Sequence, residues 1–131
     1  MVKDIVYRTE LPKEEDLFHF YEVLCWNNFL KLPSNDLMMA IKNSYRSIYA
    51  YTDNKLIGTG RVVSDGIIIA YICGLGVLPD YRNQGIGSEL LRMLKEHCKE
   101  QKLHVQIFCE ENLISYYSKM GFTKFAVGMR L

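Results

Sequence analysis

The chain carries no excess of charge of one sign. Its 16 lysines and arginines stand against 15 aspartates and glutamates, for a net charge of +1, and no basic block occurs anywhere. A dedicated nucleic-acid surface is therefore not expected. Nor is there a long hydrophobic run. Residues 67–78 form the longest, which is too short to span a bilayer and is interrupted by Gly74 and Gly76, so no membrane partner is expected. Met1-Val2-Lys3-Asp4 does not open an apolar leader. Cys25, Cys73, Cys98 and Cys109 are irregularly spaced and form no C-x-x-C pair. His19, His97 and His104 lack finger-like spacing. Reduced thiols, no metal and a cytoplasmic location are the expectations. Repeats, low-complexity tracts and linkers are missing too, so residues 1–131 read as one domain. A hydrophobic content of 49% with 24% charged residues suits a folded globule.

What is present concentrates in residues 77–88, which read Val-Leu-Pro-Asp-Tyr-Arg-Asn-Gln-Gly-Ile-Gly-Ser. An apolar strand pattern leads in and an amphipathic helix pattern leads out. The first turn of such a helix presents unpaired N–H groups, and the helix dipole favours an anion there. Gly85 and Gly87 lack the Cβ atoms that would hold a bulky phosphate away. The segment therefore suits a pyrophosphate. Two familiar nucleotide signatures do not fit. No Lys-Ser or Lys-Thr pair follows the last glycine, as a P-loop needs. The G-x-G-x-x-G fingerprint fails because Val63 follows Gly58 and Gly60, and Pro79 follows Gly74 and Gly76.

The flanking periodicities give a fold. Residues 5–7 are a short strand. Leu17, Phe18, Tyr21, Leu24 and Cys25 recur at helical spacing after Pro12. Ser34 is a candidate N-cap for a second helix carrying Leu37, Met38 and Ile41. Strand-like segments follow at 47–51, 56–63 and 67–77, separated by Asp53-Asn54 and Ser64-Asp65-Gly66 turns. Glycines inside the third suggest a bulge. A helix over 85–101 buries Ile86, Leu90, Leu91, Leu94 and Cys98. Residues 104–109 read as a buried strand, 113–120 as a helix ended by Gly121, and 122–131 as a closing strand. The order β-α-α-β-β-β-α-β-α-β describes an α+β fold, a mixed sheet with helices on both faces.

Arg82, Gly85 and Gly87 form R-x-x-G-x-G, with Val77-x-Pro79 just before it. This combination resembles the acetyl-coenzyme A signature of the GNAT superfamily of N-acetyltransferases, whose element order matches nearly the whole chain. The resemblance implies a mostly antiparallel central sheet and transfer of an acetyl group from acetyl-CoA to an amine. The backbone of Asn83, Gln84, Gly85, Ile86, Gly87 and Ser88, aided by Arg82, would cradle the pyrophosphate. The pantetheine arm would pair with the backbone of Leu75, Gly76 and Val77, as an added strand does. Residues 115–122, Ser-Tyr-Tyr-Ser-Lys-Met-Gly-Phe, resemble the superfamily's Phe-Tyr-x-Lys-x-Gly-Phe segment. Tyr117 thereby matches the tyrosine that protonates the leaving thiolate, while Tyr116 is expected to pack. Asn112 is a candidate pantetheine contact, since Glu110 occupies the position where an asparagine often stands.

The base remains open. Some members carry a carboxylate three residues before the valine of Val-x-Pro, where this chain has Gly74. Asp65, His104, Glu110 and Glu111 are the alternatives, directly or through water. Trp26, Phe29, Leu30 and Leu32 make an unusually apolar loop that would wall an amine site. Leu32-Pro33, residues 37–45, and Gly60-Arg61 through Ser64-Asp65 faintly resemble plastid-type arylalkylamine (serotonin) acetyltransferases. A small-molecule amine is the leading acceptor. Protein acetylation at an N-terminus or lysine, a non-catalytic acyl-CoA-binding module, and covalent transfer through Cys73 or Cys109 are the competing readings. A second copy could complete the sheet edge, giving a homodimer.

Overall fold

The computed structural model describes residues 4–131, so the expectation about the first three residues lies outside the described residues. Five strands form one sheet in the order β1-β2-β3-β4-β5. They are β1 (Val6–Arg8), β2 (Arg46–Thr52), β3 (Lys55–Ser64), β4 (Ile69–Val77) and β5 (His104–Ile107). The first three pairings are antiparallel and the β4–β5 pairing is parallel. A parallel pair needs a crossover, which α3 (Ile86–Glu100) provides. The helices α1 (Glu14–Val23) and α2 (Ser34–Lys42) precede the sheet's centre in sequence, and α4 (Ile114–Lys119) follows β5.

The two faces of β3 sort the layers. Gly58 and Gly60 face α3: a Cβ on Gly60 would stand 2.8 Å from Leu94 and one on Gly58 3.1 Å from Leu90. Thr59 and Arg61, on the alternate face, border a small cavity with Leu17 and Tyr21 of α1 and Ile41 of α2. Missing side chains on β3 thus let α3 lie unusually close. It buries Ile86, Leu90, Leu91, Leu94 and Cys98, at about 1.5–3 kcal/mol for each large apolar side chain. Its solvent face is held by Arg92, which pairs with Glu89 at 2.6 Å and Glu96 at 2.8 Å.

The α+β class and the mixed, mostly antiparallel sheet are as expected, and some boundaries move. The third long strand begins at Ile69, not 67. Asp65 Oδ1 accepts the N–H groups of Ile67, Ile68 and Ile69 at 2.9, 2.7 and 3.3 Å, which binds that stretch into a turn. Those bonds also hold the Asp65 carboxyl below its ordinary pKa. Ser34 is the first helical residue rather than a cap, and its Oγ donates to Glu14 across the two helices. β5 is a partly buried edge strand, not a buried one. The closing strand does not form: residues 122–131 make no ladder, and Phe125, Val127 and Met129 are exposed. Alternation marks a face but not a partner. Residues 121–128 stand off β5 across a cavity of about 620 Å³ lined by both.

The close approach of α3 is testable. Gly60→Val places its branched side chain against Leu94 and Leu75. Overpacking of this kind costs about 1–3 kcal/mol, so the urea midpoint should fall with an unchanged slope. A midpoint equal to the parent's would show that α3 can move away freely.

Candidate active site

β4 ends in the loop that the glycine pattern marked. Leu78 N–H donates to Ile57 C=O at 2.9 Å, and a 3₁₀ turn follows at Pro79–Tyr81. Arg82 Nε then donates to the Val77 carbonyl at 3.0 Å and folds the loop back across the strand's end. Asn83 and Gly85 have left-handed backbones, with φ of 62° and 82°. Gly85 is the N-cap of α3, and no side chain caps that helix. The helical ladder begins with Glu89 N–H to Gly85 C=O, so the N–H groups of Ile86, Gly87 and Ser88 have no intrahelical acceptor. A Cβ on Gly87 would meet nothing nearer than Val77 at 3.7 Å, and one on Gly85 nothing within 4 Å. The protein itself therefore does not fill the space above these glycines.

Beside this loop the sheet splays. The β4–β5 ladder runs from Ile69↔His104 to Ile72↔Ile107 and stops. Among the described residues, 73–77 of β4, including Leu75, Gly76 and Val77, have no partner on that side. On the other side the register with β3 shifts between Thr59 and Arg61, opposite Gly74, whose φ is 56°. Thr59 Oγ1 donates to the Gly74 carbonyl at 2.9 Å and fixes the bulge.

Tyr117 lines the cavity beyond β5 together with Glu110 and Glu111. Its ring packs edge-on between Tyr116, at 5.0 Å, and Phe122, at 6.0 Å. Burial first, then the neighbouring Tyr116 and Cys109, raise its pKa above the ordinary phenol value, so it holds a proton at neutral pH. Tyr116 does more than pack: its hydroxyl lies 2.7 Å from Ser88 Oγ, in the first turn of α3. Asn112 lies exposed in the turn before α4. Two base candidates stand at the end of the sheet far from the glycine loop. His104 is opposite Ile69 and Asp65 caps the same end, roughly 25 Å from Val77 at strand rise. Glu110 and Glu111 follow the end of β5, on the side nearer the glycine loop.

The loop between α1 and α2 is closed by Asn27, which is buried. Its side chain donates to Leu32 C=O and accepts from Leu32 N–H, both at 2.9 Å. That closure lays the Trp26 ring on β4: a Cβ on Gly76 would lie 2.5 Å from it. Trp26 also meets Tyr21 edge-on at 5.1 Å. Phe29 and Leu30, by contrast, stand out in solvent at 88% and 68% exposure. Sequence reasoning missed the polar group beneath the bulge. Tyr21 Oη and Arg61 Nε stand 3.3 and 3.5 Å from where a Gly74 Cβ would be, and Cys73 is the register partner of Arg61. The signal was there in outline. Arg61 is the one cation in the interior of a strand whose residues 56–63 are otherwise small or apolar.

At this end of β4 a splayed sheet edge stands beside a glycine loop at a helix start, and comparison gives the family. Residues 6–122 match the Acetyltransferase (GNAT) family model, so the chain belongs to that family. It is 28% identical over 115 residues to the uncharacterized N-acetyltransferase ycf52 of Pyropia yezoensis, a match covering 83% of this chain and 66% of that protein. It is 42% identical over 62 residues to N-alpha-acetyltransferase 60 of Xenopus tropicalis, covering 41% of this chain and 25% of that one. The chain thus spans about two thirds or less of the curated relatives it matches. A GNAT family acetyltransferase structure from Streptococcus pneumoniae superposes with a TM-score of 0.76 at 26% identity, covering 98% of this chain and 97% of that one. Among the described residues no helix is long and apolar enough to cross a membrane.

The seating of Trp26 on Gly76 has a direct readout, because the chain has one tryptophan. Gly76→Ala must push the ring off β4, so its fluorescence emission should move to the red in a protein that still melts cooperatively. An unchanged spectrum would remove Trp26 from the strand.

Proposed function

We propose that the chain is a single N-acetyltransferase domain that moves the acetyl group of acetyl-CoA to a primary amine of a small molecule. The observation that carries this reading is the junction of three features at one end of β4. They are the uncapped α3 start, the unpaired edge of residues 73–77, and the protonated Tyr117. The N–H groups of residues 83–88 with Arg82 would hold the pyrophosphate. The edge at Leu75, Gly76 and Val77 would bind the amide-rich arm, with Asn112 contributing from the turn before α4. Trp26 would wall the acceptor, with Phe29 and Leu30 closing over it once it is bound.

Transfer is direct, in a ternary complex. The neutral amine attacks the thioester carbonyl, and a backbone N–H of β4 stabilises the oxyanion. Collapse breaks the C–S bond, and Tyr117 gives its proton to the thiolate. The nitrogen loses its extra proton to water or to Glu110 or Glu111. A thiol relay through Cys73 is disfavoured, since burial raises its pKa despite Arg61 nearby. The free cysteines are consistent with a cytoplasmic protein, and the open outer edge of β5 is where a second copy would complete the sheet in a homodimer.

A second reading is acetylation of protein N-termini. It is favoured by the segment shared with N-alpha-acetyltransferase 60. An amine screen with acetyl-CoA, reading coenzyme A release, decides between them. Turnover on small amines supports the first reading; turnover confined to peptides supports the second. Coenzyme A bound with no turnover on either would leave a binding module.

Two variants probe the machinery. Gly87→Ala fits the protein, so the fold should persist while coenzyme A affinity falls about tenfold or more, the worth of a hydrogen bond to a charged group. Equal affinity would move the pyrophosphate elsewhere. Tyr117→Phe keeps the ring and should lower the turnover number by about a hundredfold to ten-thousandfold with near-normal coenzyme A binding. Intact-mass measurement with acetyl-CoA alone should show no adduct. Acetyl on Cys73 or Cys109, with normal turnover in Tyr117→Phe, would establish a ping-pong path instead.

A further inference from the structure

Arg61 lies in the layer between the sheet and α1–α2, partly buried, and no carboxylate pairs with it. Both ion pairs found among the described residues belong to Arg92. One terminal nitrogen, Nη1, donates to Ser44 Oγ at 3.1 Å. Its Nε is shut off from solvent and has no acceptor in good geometry, and neither has the Tyr49 hydroxyl, whose residue is 1% exposed; the Tyr21 hydroxyl stands close to Arg61 and that of Ser47 close to Tyr49. Unpaired charge and orphaned donors in such a place are costly, and each calls for a partner. Ser44 and the nearby Tyr21 hydroxyl are neutral groups, so neither balances the charge of the guanidinium.

Arg61 and Tyr49 border one notch, together with Tyr21, Ser47 and Gly74. Its free volume is about 10 Å³, the space of a single water-sized oxygen. The lining is rich in donors. An arginine Nε can only donate, and the hydroxyls of Tyr21, Tyr49 and Ser47 can all do so. Tyr21 and Tyr49 stay protonated because burial raises both pKa values, even against the guanidinium. The hydroxyls can accept as well as donate, but the guanidinium has no carboxylate partner, so an anionic oxygen completes the notch better than a neutral one. Its wall on the β4 side is the bare Cα of Gly74 in the bulge, three residues before Val77.

We infer that this notch receives one oxygen of a carboxylate carried by the acceptor, with Arg61, Tyr21 and Tyr49 as its donors. The substrate class is then an amino acid or amino carboxylate rather than a simple amine. This rests on the small-molecule reading above. The acid end lies under the bulge, and the amine end points along β4 towards the splayed edge where the thioester would lie. Arg61 has a further effect on the acceptor's nitrogen, because a fixed cation nearby favours the neutral, nucleophilic amine.

The test compares matched pairs with and without the carboxylate: phenylalanine with phenethylamine, and 4-aminobutyrate with butylamine. In the parent protein kcat/KM should favour the carboxylated member of at least one pair by about tenfold or more, the worth of a charge-assisted bond. Arg61→Met should erase that ratio and Arg61→Lys restore part of it. If Arg61→Met does not fold, Tyr49→Phe removes one hydroxyl and should reduce the ratio severalfold. A structural role for Arg61 would slow both members of a pair alike and leave the ratio intact, which overturns the inference. So does a parent enzyme that prefers the carboxylate-free amines, with the notch holding a water only. Absence of turnover on every small amine, with coenzyme A still bound, overturns the small-molecule reading itself and this inference with it.

Discussion

The approach of α3 to the sheet governs the rest of the structure. Gly58 and Gly60 present no side chains on that face, and Leu90 and Leu94 fill the space. A helix seated this closely must begin just past the end of β4. The loop between them is correspondingly short, and it needs Gly85 in a left-handed conformation to turn into the helix. The unpaired N–H groups of the first turn therefore face the end of β4. The placement of the glycine loop is in this sense a consequence of core packing.

The same strand organises the other face. Arg61 and Thr59 alternate with the glycines, and Thr59 ties down the Gly74 carbonyl. The bulge that results leaves β4 paired with β3 but opens one face and the opposite edge. One side receives Trp26 over Gly76. On the other, β5 stops pairing at Ile107 while β4 runs on to Val77. A single strand thus presents an apolar ring, a donor-rich notch and a free backbone edge within a few residues.

Much of this was legible in the sequence, and the failures have physical causes. Residues 77–88 could be read because glycine, arginine and the onset of a helical period leave little freedom for that turn. The α3 face could be read because its apolar residues repeat over four turns. Boundaries set by one side chain could not: Asp65 delays β4 by gathering three amides, and nothing in Ile67-Ile68 announces it. Residues 122–131 alternate like a strand yet have no ladder, because alternation carries no information about the neighbour. Tyr21, Tyr49 and Arg61 were invisible as a group. They come from three elements, and only tertiary packing brings them to one notch. Phe29 and Leu30 were chosen for their apolar character, which carries no information about burial, and both stand out in solvent.

α4 has six residues, too few to hold a helix by itself. Its polar anchors both lead to α3. Tyr116 meets Ser88 near the start of that helix, and Lys95 donates to the Met120 carbonyl further along. The short helix rides on the long one, so α3 acts as a ruler. The span from the glycine cradle to the Tyr117 hydroxyl is set along one rigid rod and not across the sheet. Strain or substitution that shifts β5 would widen the splay without changing that span, so the Tyr117 hydroxyl and the glycine loop keep their separation while the rest of the sheet edge adapts.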